Sequence, residues 1–184
     1  MASGKEIPMR GDLARLLEAI NFAADRHRNQ RRKDHEASPY INHPIALATV
    51  LANEGGIADV EVLQAAVLHD TIEDTETSFD DLVARFGRGV ADIVAEVTDD
   101  KRLRPDVRKQ LQIEHAPHKT PEAALVKLAD KICNLRDIAS TPPADWSLER
   151  RREYFEWAKQ VVDGLPKVNA KLLEAFNVAY AKRL

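Results

Sequence analysis

Apolar residues recur along this chain at intervals of three and four, and no segment alternates convincingly with period two, so the pattern predicts an all-α fold of about nine helices. Leu13, Leu16, Leu17, Ile20 and Ala24 mark the apolar face of a first helix that begins near Asp12, after a loose leader over 1–10. A second helix runs from Ile45 to about Asn53 and stops at Gly55-Gly56, which supply the left-handed geometry a helix end often needs. Asp59 is placed to cap a third helix through Val60, Leu63, Ala66 and Val67, and the reading carries that helix on through His69 to Asp74.

Ser78 and Asp81 form a capping-box pattern at the start of a helix through Leu82, Val83 and Phe86, closed by Gly87. Val90, Ile93, Val94 and Val97 continue as another amphipathic helix, and the polar run TDDKRLR before Pro105 reads as a loop or the start of a new helix, a mobile edge of the site. Leu111 and Ile113 lie on a further helix that ends before Pro117. Thr120-Pro121-Glu122 is a helix start with a capping hydroxyl, a proline at the first position and an acid that suits the dipole. The helix it opens has a broad apolar face of Leu125, Leu128, Ala129, Ile132, Leu135 and Ile138. Pro142-Pro143 interrupt the chain, Trp146 to about Leu165 is helical again, and Pro166 is read as the start of the last helix.

At 184 residues the chain suits a single domain spanning 1–184, with no linker composition to divide it. Its net charge of −3 argues against a nucleic-acid partner, so any basic site must be local. No apolar run is long enough for a bilayer and no secretory signal opens the chain, which makes the cytoplasm the default address. The single Cys133 has no internal disulfide partner and reads as a small buried hydrophobe.

Against that background VLHDTIED stands out, because His69, Asp70, Glu73 and Asp74 crowd four ionisable groups into six residues. Burying them without partners is costly, and a divalent cation with mixed nitrogen and oxygen ligands is the simplest compensation; an acidic, solvated helix end is the alternative. Arg26, Arg28, Arg31, Arg32 and Lys33 form a cluster dense enough to hold phosphates, or else a solvated basic face. His27 falls on the apolar side of the first helix as a core or supporting histidine. In SPYINHP, His43 is fixed between Pro39 and Pro44, which suits a ligand, and Asp130, Asn134 and Asp137 make a polar stripe on an otherwise apolar helix. Asp130 could supply a further metal ligand and Asn134 amide donors, while Tyr154 could stack on or bond a nucleotide or simply belong to the core.

In chain order RRKDHEASPYINHP, LHDTIED and KLADKICNLRD resemble the HD-domain hydrolases of the RelA/SpoT superfamily, and more closely the small stand-alone alarmone hydrolases, over nearly the whole chain. The resemblance implies an all-helical HD-domain fold and a 3′-pyrophosphohydrolase acting on guanosine tetra- or pentaphosphate. It implies one manganese per chain, with zinc or iron as alternatives, held by His43, His69, Asp70 and Asp130. Glu73 and Asp74 match the family's catalytic acidic pair, and Arg32, Lys33, Asn134 and Tyr154 match substrate-facing positions. Asp137 stands where longer RelA/SpoT proteins carry threonine, and RLRPDVRKQ replaces a more basic loop. Three other readings stay open: hydrolysis of another ribose phosphate such as the 2′-phosphate of NADPH, a two-metal phosphodiesterase using His115 and His118, and a catalytically silent nucleotide sensor.

Overall fold

In the computed structural model, which describes residues 10–183, the backbone folds as nine helices of eight residues or more plus one single-turn helix, with no strand among the described residues. The helices are α1 (Arg10–Arg26), α2 (Asn42–Thr49), α3 (Val60–Leu68), the one-turn α4 (Thr71–Asp74), α5 (Phe79–Phe86), α6 (Arg88–Val97), α7 (Pro105–His115), α8 (Pro121–Ser140), α9 (Leu148–Gly164) and α10 (Ala170–Tyr180). Helix α1 begins at Arg10, inside the expected leader; the rest of that leader, 1–9, lies outside the described residues.

Two helices form the centre. Every residue of α3 from Val62 to Leu68 is buried, as it packs against α1, α2, α6 and α8. Every residue of α8 from Ala123 to Cys133 is buried as well, between α2, α3, α6, α9 and α10. A helix buried on all sides is ordinarily apolar all round. Helix α8 instead carries Lys127, Asp130 and Lys131 into the interior, so these charges need partners there.

Local chemistry sets most helix ends as the sequence predicts. The Asp59 carboxylate accepts from the backbone N–H groups of Glu61 and Val62, Ser78 and Asp81 complete a reciprocal capping box, and the Thr120 hydroxyl accepts from Ala123 N–H. Replacing the cap in Asp59→Ala is expected to cost about 1 kcal/mol of stability, read as a lowered urea midpoint with an unchanged slope. Helix α2 runs into a π turn over Val50–Glu54, and Gly56 at φ 68° takes the left-handed conformation that ends it.

Besides shifts of two or three residues at helix starts such as those of α1 and α2, two boundaries differ widely from the sequence reading. The helix capped by Asp59 does not continue to Asp74: it stops at Leu68, and Asp70 sits at φ −99°, ψ 0° before the single turn of α4. The side chains of His69 and Thr71 bond the carbonyl oxygens of Ala66 and Leu68, at 2.9 and 2.7 Å, and so take up the backbone groups at the break. The last helix starts at Ala170, not Pro166, because Asn169 caps it: its Oδ1 accepts from Leu172 N–H at 3.0 Å while its amide donates to the Gly55 carbonyl at 2.9 Å. No helix among the described residues is long and apolar enough to cross a membrane.

Candidate active site

The break after Leu68 is what turns the acidic cluster into a site. His69 and Asp70 lie in the break between α3 and α4, His43 lies in the first turn of α2 and Asp130 comes from the middle of α8. Ligand atoms of His43, His69 and Asp130 all lie within 4.8 Å of one another, the one such group of three among the described residues. Asp70 lies beside this group, with its Oδ2 2.8 Å from His69 Nε2 and accepting from the Tyr40 hydroxyl. His43 Nε2 stands 3.3 Å from Asp130 Oδ1.

Protons and lone pairs show what the cluster requires. His69 Nδ1 faces the Ala66 carbonyl and must donate to it, which leaves a lone pair on Nε2 pointing at the Asp70 carboxylate. Two electron-rich atoms at that distance need a proton or a cation between them. Burial opposes charge on His69, but Asp70 outweighs it and makes the imidazole more basic than usual. Burial likewise opposes the Asp70 carboxylate, and His69 beside it holds its pKa below the ordinary range. At Asp130 burial is outweighed by Lys131 and His43, and the carboxyl sits well below the usual value. Lys131 Nζ is 3.0 Å from Asp130 Oδ2, and the Asn134 amide donates to Oδ1 at 2.6 Å. Two imidazoles and two ionised carboxylates converging at the heart of the fold fit a divalent cation with mixed nitrogen and oxygen donors.

The acidic pair is split between two surroundings. Glu73 lines the metal-site cavity, where its carboxylate accepts from Asp99 N–H at 3.0 Å and lies 3.4 Å from an Arg108 guanidinium nitrogen. Burial pushes its pKa up, aided by the neighbouring charges of Asp99, Asp70 and Asp74. Asp74 does not line that cavity. Its carboxylate turns to the other side of α4, where Gln30 donates at 2.8 Å and Lys101 forms an ion pair, beside a shallow surface cavity.

Two cavities meet at the cluster. One of about 200 Å³ contains His69, Asp70, Glu73 and Asp130. Its neighbour, of about 420 Å³, is open to the surface and includes Lys33, Asp137 and Trp146. Arg32, His43, Asn134 and Tyr154 line both, and with Lys33 in the larger cavity the four expected substrate-facing residues, Arg32, Lys33, Asn134 and Tyr154, come together around a volume suited to a nucleotide. Arg32 pairs with Asp137 at 2.5 Å across the floor, and Tyr154 is held between the rings of Trp146 and Trp157, at 5.5 and 5.1 Å between centroids. His115 and His118 are exposed and outside the cluster, which leaves a second metal ion without those ligands. Cys133 is buried, and burial pushes its thiol pKa up to about 12, which suits the inert hydrophobe expected of it.

Sequence reasoning passed over Tyr40, Gln30, Arg108 and Lys131. Tyr40 carried a signal, since a tyrosine three residues before His43 in a proline-bracketed segment needs a partner for its hydroxyl once buried. Arg108 carried none, because Glu73 is 35 positions away and only the fold joins them.

The comparisons with known proteins agree with this geometry. Residues 19–156 match the HD domain family model. The chain is 56% identical over 168 residues to the guanosine-3′,5′-bis(diphosphate) 3′-pyrophosphohydrolase MESH1 of Danio rerio, covering 91% of this chain and 93% of that one. It is 55% identical to the protein of that name from Homo sapiens over 175 residues, 95% and 98% of the two chains. A solved structure described as a metazoan orthologue of SpoT that hydrolyses ppGpp superimposes with a TM-score of 0.90 at 46% identity, over 97% of this chain and 98% of the other.

Proposed function

The chain belongs to the HD-domain family, alongside the small metazoan relatives of SpoT, and from that membership we propose that it is a metal-dependent guanosine-3′,5′-bis(diphosphate) 3′-pyrophosphohydrolase. One observation carries the reading. Arg32, His43, Asn134 and Tyr154 belong to both cavities, so a nucleotide seated in the larger one brings its phosphorylated ribose to the carboxylate–imidazole cluster in the smaller.

In this reading His43, His69, Asp70 and Asp130 hold one divalent ion, and their mixed nitrogen and oxygen donors suit manganese, with zinc or iron as the alternatives. Such an ion supplies Lewis-acid chemistry, polarising the phosphoryl group and acidifying water. Tyr40 and Lys131 keep Asp70 and Asp130 oriented, and the Ala66 carbonyl fixes the His69 tautomer. Arg32 and Lys33 bind substrate phosphates, for which Arg32 exchanges its pairing with Asp137, while Asn134 and Tyr154 orient the nucleotide.

Glu73 takes the proton of the attacking water. Its raised pKa makes it a better acceptor than an exposed carboxylate, and the Asp74 charge beside it helps to keep it so. The water oxygen bonds to the phosphorus next to the ribose, that phosphorus parts from O3′, the O3′ oxygen is protonated, and GDP or GTP leaves with pyrophosphate.

The experiment is to load the protein with manganese, supply guanosine tetraphosphate and NADPH separately, and follow pyrophosphate and orthophosphate. Pyrophosphate release from the guanosine substrate is the expected result. Preferential orthophosphate release from NADPH would keep the site and move the substrate, and binding of either without turnover would make the protein a sensor.

A further inference from the structure

Gln30 stands where its two amide ends are each committed. Its Nε2 donates to Asp74 Oδ2 at 2.8 Å, and its Oε1 lies 2.6 Å from His27 Nδ1. A carboxylate only accepts, so the amide nitrogen must face Asp74 and the amide oxygen must face His27. His27 Nδ1 therefore carries the proton that completes the chain.

The arrangement is buried and costly. His27 is 2% exposed, and its Nε2 has no hydrogen-bond partner among the described residues. A buried ring nitrogen left bare calls for an explanation beyond packing, since an apolar side chain at the end of α1 would avoid the loss. The same two residues also brace the other side of the site. The Tyr40 ring lies 4.8 Å from that of His27, Tyr40 N–H donates to the Gln30 carbonyl at 3.1 Å, and the Tyr40 hydroxyl bonds Asp70.

Helix α4 is a single turn whose side chains face two ways, Glu73 into the cavity and Asp74 out towards Gln30. One turn has little rigidity of its own. We infer that His27 and Gln30 are positioning residues for hydrolysis, a buried strut that acts through Asp74 to hold α4, and with it Glu73, against the cavity. His27 and Gln30 line neither cavity of the site and reach the cluster only through Asp74 and, by way of the Tyr40 ring and backbone, Asp70, so their effect is on turnover and not on substrate binding.

The inference rests on the supporting role given to Asp74 above, and the test separates the two. With the manganese-loaded protein and guanosine tetraphosphate, Gln30→Ala is expected to lower kcat about tenfold, the scale of a lost supporting contact, with KM and bound metal unchanged. In an Asp74→Ala background, which leaves the Gln30 amide no oxygen to donate to, the same change is expected to be silent, because the strut then has nothing to hold. His27→Gln, which keeps a donor for the Gln30 oxygen, should retain turnover that His27→Leu loses. If Gln30→Ala does not fold, Gln30→Glu keeps the size and sets a charge against Asp74, and must lower kcat as well. A lowered but measurable kcat in Asp74→Ala that falls by an undiminished further factor on adding Gln30→Ala would overturn the strut alone, as would a change confined to KM. Wild-type kcat in Asp74→Ala would overturn the role of Asp74 and the strut together, while leaving the hydrolase reading intact.

Discussion

Glu73→Gln is expected to lower kcat by about a hundred- to ten-thousandfold while the protein keeps one metal ion per chain. The glutamine preserves the shape of the side chain and can still accept from Asp99 N–H, at the position where Glu73 accepts at 3.0 Å. What it cannot do is accept a proton from water. Because Glu73 lies outside the group formed by His43, His69 and Asp130, its loss should leave metal content unchanged, measured on the purified protein beside steady-state turnover. A variant that loses metal along with activity would make Glu73 a ligand, and one that retains full turnover would give the proton to another group. The Arg108 nitrogen 3.4 Å away adds a charge that favours the ionised form of Glu73, against the burial that raises its pKa.

Asp130→Ala is expected to abolish both metal binding and turnover, and to destabilise the metal-free protein by about 3–5 kcal/mol, the range for breaking a buried ion pair from one side. The Lys131 side chain is 3% exposed and its ammonium is paired with Asp130 at 3.0 Å, so removing the carboxylate strands a positive charge in the interior. His43 and Asn134 lose the same partner. Urea unfolding of both proteins after chelation isolates this stability term from metal linkage. Asp70→Ala also removes a proposed ligand, but its partners are a histidine that can become neutral and the Tyr40 hydroxyl, so it should empty the site at a smaller cost in stability. Metal-dependent turnover surviving in Asp70→Ala would refute the ligand assignment.

These two experiments probe residues that the sequence singled out and a geometry that it did not foresee. The helical spacing predicts four polar heads along one helix, with Glu73 and Asp74 acting as a pair. The chain in fact breaks between Leu68 and Thr71, and that break sends His69 and Asp70 to the cluster, Glu73 to the cavity under Arg108 and Asp74 to Gln30. The preference of His69 and Thr71 for nearby carbonyls is a weak local signal, outweighed in the sequence by the helical spacing on either side.

What the sequence determined by itself is whatever a single helix can express: the 3.6-residue period of nine long helices, the caps at Asp59, Ser78 and Thr120, and the residue types of the cluster, since the demand for partners follows from burying His and Asp on apolar helices. The tertiary structure alone decided which charges meet. Gln30 reaches Asp74 across 44 positions and Arg32 reaches Asp137 across 105, and neither pairing leaves any periodicity in the chain. Hydrogen bonds and ion pairs act over a few ångströms, so partners this far apart in sequence are chosen by the packing of the α1–α2 connection against α4 and α8.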